Sequence, residues 1–253
     1  MSVWGPGLEG WGASRSILTG AAPYVEAASP APAPALLPAA ERRRAGPVVR
    51  LALAVAHEAA TLSGLEPGSL EAVFASSNGD GPVVGSILEA LASGSGERVV
   101  SPTQFHNSVH NAAAGYWSIA TASRRPATCI GCHDESWAAA LLTALAGLRA
   151  TDRPVLLVCY DHPLPPPLDA VRPTGPAFAA AFVLGPAGDG ATLRLGYEPL
   201  RAPCPAAWDQ RFAVLAANPA ARALPLLAAV ARGAPFAGDL AYQDGRLRLE
   251  FRP

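Results

Sequence analysis

SPTQFHNSVHNAAAGYWSIATASRRPATCIGCHDESWAAALLTAL, Ser101 to Leu145, is the stretch on which the reading of the fold turns. Its alanine-rich run from Asn107 to Ala122 predicts a helix able to approach its neighbours closely. A loop ending at Pro126 leads into ATCIG, Ala127 to Gly131, which reads as a short strand. From Asp134 to Arg149 the residues Trp137, Leu141, Leu145 and Leu148 recur at helical spacing, so a second helix follows the strand after a tight turn.

The same alternation continues outward. Upstream, Pro47 suits a first helical position, Val48, Leu51, Val55, Ala59 and Leu62 fall on one helical face, and Gly64 closes the segment. AVFASS, Ala72 to Ser77, then reads as a buried strand running through the turn NGDG into a helix around Val83 to Leu91. Downstream, PVLLVCY, Pro154 to Tyr160, is apolar throughout, as expected of a strand covered on both faces. Ala177 to Gly185 and Ala191 to Glu198 read as neighbouring strands separated by a GDG loop. A helix near Pro219 to Arg232 and a hairpin turning at Asp244 and Gly245 complete the chain. SPAPAPALLP and DHPLPPPLD read as extended surface connectors. Strand and helix alternate, which argues an α/β fold with helices on both faces of a mixed central sheet.

Composition narrows the function. Half of the 253 residues are hydrophobic and 15% are charged, enough for a sizeable core. With 19 basic and 20 acidic residues no overall field draws nucleic acid, and ERRR at Glu41 to Arg44 reads as a solvated helix start. No secretory signal or membrane-spanning run is visible, so a cytoplasmic address and reduced thiols at Cys129, Cys132, Cys159 and Cys204 are expected.

Residues Ser101 to Leu145 resemble the core of the β-ketoacyl synthases, and the likeness extends over roughly Glu41 to Leu184. It implies a thiolase-like half-fold over residues 1–198, with residues 199–253 forming a short helix plus hairpin extension packed on the same domain. In that family the nucleophilic cysteine sits on the turn between strand and helix, where the helix N-terminus stabilises a thiolate. Matched through the arginine-proline of the loop, that place falls to Asp134, which would also serve as a helix N-cap; a shift of two residues would give it to Cys132. The family's two catalytic histidines have no counterpart, since the only later histidine, His162, sits in DHPLPP.

The resemblance therefore implies a non-catalytic, chain length factor-like subunit, of the kind associated with aryl polyene or xanthomonadin-type pigment clusters. Its partners would be an active ketosynthase and an acyl carrier protein, with no cofactor. The strand Ala127 to Gly131 would be the docking element. Gln104, Phe105, His106, Asn107, His110, Asn111, Tyr116 and Cys129 would lie at the interface and acyl channel.

Other chemistries compete for the same residues. Cys129, Cys132 and His133 spell the haem-attachment pattern CIGCH, but on a strand and turn with no room for haem. His106 and His110 stand four apart, a spacing that could share a metal, yet no acidic third ligand accompanies them; with Gln104, Phe105, Asn107 and Asn111 they read instead as a polar surface. Trp117 and Trp137 read as core. A free-standing acyl transferase or thioesterase using Cys132, or the group His106, His110 and Asp134, is the alternative function.

Overall fold

The chain begins with two strands that its sequence does not announce, β1 (Ser2–Gly5) and β2 (Leu8–Glu9), followed by helix α1 (Gly10–Thr19). Next come α2 (Ala39–Arg44), α3 (Pro47–Ser63), β3 (Glu71–Ala75), α4 (Gly81–Ala92), α5 (Pro102–Asn107), α6 (Ala112–Thr121) and β4 (Ala127–Ile130). Then follow α7 (Ser136–Thr151), β5 (Val155–Asp161), a single turn α8 (Leu168–Val171), β6 (Phe178–Leu184), β7 (Thr192–Pro199), α9 (Leu224–Arg232), β8 (Phe236–Tyr242) and β9 (Gly245–Arg252). The computed structural model describes residues 1–93, 99–188, 190–199 and 208–253; Asp189 of the GDG loop and Cys204 lie outside the described residues.

Among the described residues a six-stranded sheet runs in the order β2-β1-β6-β5-β3-β4. β3, β4 and β5 are parallel, while β6 pairs antiparallel with β5 and β1 with β6, so the sheet is mixed. Side chains alternate between its faces with period two. Val73, Leu157, Cys159, Phe178 and Ala180 enter a core with α7, α9 and the second sheet. Phe74, Leu156, Val158, Ala179 and Ala181 enter another with α3 and α6. Trp137 belongs to the first and Trp117 to the second, both 1% exposed.

α3 follows its expected face at Val48, Leu51, Val55 and Ala59, but Leu62 is 56% exposed because the helix outlasts the sheet it covers. Gly64 ends it at φ 71, a left-handed conformation that glycine adopts without strain.

Two expectations fail. The continuous helix from Asn107 to Ala122 is broken between α5 and α6, where the Ser108 hydroxyl donates to the Phe105 carbonyl at 2.8 Å and competes with the helical ladder. β6 and β7 are not neighbours: the chain leaves the sheet at Gly185 and Pro186, and β7 joins a second sheet, order β7-β9-β8, through antiparallel pairing with β9. Proline offers no N–H to continue a ladder, which suits an exit there. The terminal hairpin turns between Tyr242 and Gly245.

Candidate functional site

Because β3, β4 and β5 run parallel, their C-terminal ends open on one side of the sheet, where α/β folds place their sites. β4 leads through Gly131 and Cys132 into a 3-10 turn, His133–Glu135, and then α7. His133 has φ 52, a left-handed conformation uncommon outside glycine. Ser136 ties the bend together: its hydroxyl donates to the His133 carbonyl at 2.7 Å and accepts from the Cys132 N–H at 3.0 Å.

Asp134 sits on this bend but is not an N-cap. It lies within the 3-10 turn, and its half-exposed carboxylate forms an ion pair with Arg172 at 2.7 Å. His133 Nδ1 lies 3.6 Å from the same carboxylate, in solvent. The guanidinium of Arg172, whose side chain is 19% exposed, also donates to the Ser77 hydroxyl at 3.3 Å.

Behind Ser77 lies Asp161, at the end of β5 and 1% exposed. Its Oδ1 accepts from the Ser76 hydroxyl at 3.0 Å and from the Ser77 N–H at 2.7 Å, while Oδ2 is buried without a partner among the described residues. Burial pushes its carboxyl up to about 6, against the hydrogen bonds that favour the charged form. Asp80, N-cap of α4 through the Val83 N–H at 3.1 Å, is likewise pushed up by burial. Asp161 and Arg172 are the members of this cluster that sequence reading missed. A lone carboxylate at the end of an otherwise apolar strand was the available signal for Asp161; nothing local marks Arg172.

The residues expected at the interface are not on one surface. Asn107 is 4% and Tyr116 1% exposed, joined by a hydrogen bond of 3.0 Å from the Tyr116 hydroxyl. Asn107 also donates to the Arg44 carbonyl at 2.9 Å, so it is no part of a polar surface but ties α5 to α6 and the end of α2. The helix break at Ser108 is what turns it inward. Phe105, His106, His110 and Asn111 are exposed, and Gln104 and Cys129 are half-buried. His106 sets its ring edge-on to Tyr116, whereas His110 leans over Gly79 and Gly131 beside the bend, so the break also separates the two imidazoles. Among the described residues no group of three histidine, cysteine, aspartate or glutamate side chains is arranged to hold a metal. Cys132 is half-buried and takes part in the bend through its backbone.

Among the described residues β4 is the free edge of the six-stranded sheet. Pro126 and Ile130 direct their carbonyls to β3, accepting from the N–H groups of Ala72 at 3.1 Å and Ser76 at 3.1 Å. By the alternation of a strand, Ala127 and Cys129 present their N–H and C=O groups outward. The helices that pack against β4 carry exposed apolar side chains, Ile119 on α6 and Leu142 on α7.

Residues 19–233 match the family model described as beta-ketoacyl synthase, N-terminal domain. The chain belongs to this ketosynthase family. Among solved structures, this ketosynthase-type chain is similar to one described as a ketosynthase (ApeO) in complex with its chain length factor (ApeC) from Xenorhabdus doucetiae, with TM-score 0.74, 20% identity, and 98% of this chain and 96% of that chain covered. It is also similar to the ishigamide ketosynthase/chain length factor, with TM-score 0.70, 13% identity, and coverage of 99% and 96%. Against a β-ketoacyl synthase from Burkholderia phymatum the TM-score is 0.54 at 17% identity, with 80% of this chain matching 57% of that one. These likenesses establish the thiolase-like α/β fold. No curated protein matches the sequence.

Proposed function

We propose that this chain is a non-catalytic, chain length factor-like subunit that pairs through β4 with an active β-ketoacyl-acyl carrier protein synthase. The observation that carries the reading is the open β4 edge, two residues of which hold outward-facing backbone groups, directly ahead of a bend where Asp134 is engaged with Arg172. An exposed edge of this kind invites aggregation unless it is covered, and a second strand with apolar flanks covers it. The structures it resembles at full length are ketosynthase/chain length factor complexes, which supports a partner of that type.

Chemistry at the bend supports the division of labour. A carboxylate acylated by a thioester would form an anhydride, more activated than its donor, so Asp134 is unsuited to carry an acyl chain. Its pairing with Arg172 gives it a structural occupation instead. The partner would supply the thiolate and the histidines, and this chain would shape the cavity that limits acyl length, in aryl polyene or related fatty acid and polyketide-type synthesis in the cytoplasm. Gln104, Phe105, His106, His110 and Asn111, together with Cys129, are the residues assigned to that interface, with Asn107 and Tyr116 holding their base.

The test is co-expression with the ketosynthase encoded beside it, followed by size-exclusion chromatography and acyl-transfer assays with intact-protein mass spectrometry. A stable heterodimer whose acyl adduct resides only on the partner is expected. An adduct on this chain that disappears in Cys132→Ala would sink the reading.

A further inference from the structure

A cavity of about 470 Å³ lies apart from the bend, between α9 and the second sheet. That volume falls within the ~300–1,000 Å³ usual for small-molecule sites. Its walls are apolar and partly aromatic: Trp208, Phe212, Leu224, Leu226, Phe236 and Leu249. Trp208 is held in place by its indole N–H, which donates to the Phe212 carbonyl at 3.2 Å.

Two carboxylates and two guanidinium groups line the cavity, but they are not paired with one another. Asp209 and Asp239 are already engaged: Arg211 binds Asp209 at 2.6 Å and, with a smaller contribution from the charge of Arg232, holds its carboxyl below the ordinary range, while Arg246 binds Asp239 at 2.9 Å and Glu198 at 2.6 Å. Arg222 and Arg232 line the same cavity, and neither forms an ion pair with a carboxylate among the described residues. Arg222 is instead stacked over the Trp208 ring, 5.7 Å from its centroid, which orients the guanidinium and leaves its donors available. Two guanidinium groups over an apolar floor are complementary to a small anion with a hydrophobic body, since the carboxylate can accept charge-assisted hydrogen bonds while the body displaces water.

The geometry points to a binding site for an apolar carboxylate in this cavity, with Arg222 and Arg232 receiving the carboxylate and Trp208, Phe212, Leu226 and Phe236 the apolar body. None of these residues lies on β4 or the bend, so the site stands independently of the pairing proposed above.

Octanoate titrated calorimetrically into the full chain tests it, with butyrate, octanol and octylamine as comparisons. Octanoate is expected to bind and octylamine not at all. Affinity should rise roughly fourfold per methylene between butyrate and octanoate. Octanol should bind at least tenfold more weakly than octanoate, because charged hydrogen bonds are lost. Arg222→Gln and Arg232→Gln should each weaken octanoate about tenfold, with Arg232→Lys restoring most of the loss and the melting temperature unchanged. Absence of octanoate binding at millimolar concentration overturns the proposal, as does equal affinity for octanol or an unaltered affinity in the double glutamine variant. Should a glutamine variant unfold, the comparison of the four probes on the unaltered chain decides the matter.

Discussion

The two edges of the six-stranded sheet are finished in opposite ways. At one end β2 is only two residues long, and the corner beside it is locked by Glu58, whose carboxylate accepts from the Trp11 N–H at 2.9 Å and from the Ser2 hydroxyl. At the other end, among the described residues, β4 has no such lock. Its neighbours leave Ile119 49% exposed, and its Ala127 and Cys129 backbone groups face outward. The chain thus blunts one edge and leaves the other with outward-facing backbone groups, which is the edge assigned to the proposed pairing.

That contrast is broken most directly at β4. Ala127→Pro deletes an outward N–H at the first strand position, where proline is tolerated, and Ile119→Glu places a charge beside the edge. Two losses of hot-spot size, ~2 kcal/mol each, should weaken association with the ketosynthase about a thousandfold in the double variant, read by size-exclusion or calorimetry. Folding stability should change little, and intact association in the double variant would falsify the use assigned to β4.

Between the edges, Asp161 tests the sheet's centre. Its folded-state value is raised to about 6, so the folded chain holds this proton more tightly than the unfolded chain. The group's favourable contribution is therefore complete below about pH 4 and is lost as pH rises through about 6, a change of about 3 kcal/mol for the raised value given. Chemical denaturation at pH 4.5 and pH 8 should show this decline in the unaltered chain and a flatter profile in Asp161→Asn.

The protected edge should respond in stability alone. Glu58→Ala leaves the Trp11 N–H and Ser2 hydroxyl without their acceptor and should cost about 2 kcal/mol in a denaturant midpoint, with association intact. The smallest effect belongs to Asp134→Ala. Its partner Arg172 is mostly buried, but Asp134 is itself half-exposed, so the pair contributes about 1 kcal/mol or less to stability. A large loss of condensing activity in a reconstituted pair would instead assign Asp134 a chemical role.

Much of this was legible in the sequence, and the reasons are local. Val155 to Asp161 is buried at every position, and an unbroken apolar run announces such a strand. The strand, bend and helix at Ala127 to Thr151 carry their periodicity within a few dozen residues. What stayed hidden depends on distant partners. The hydrogen bond from Ser76 to Asp161 spans 85 positions, and β1 becomes a strand because β6 offers it an edge, not through alternation of its own. The separation of β6 from β7 was hidden for the same reason, since two adjacent apolar segments do not say which sheet each will join. Asn107 looked like surface because one break in a helix reverses which side faces in.

The Ser136 hydroxyl, which both gives and receives a hydrogen bond across the bend, makes the scaffold indifferent to its most prominent tenant. The turn is fastened by residue 136 and by the backbone, so the side chain at 134 can be exchanged without redrawing it. A turn fastened in this way keeps its shape whichever side chain stands two residues earlier.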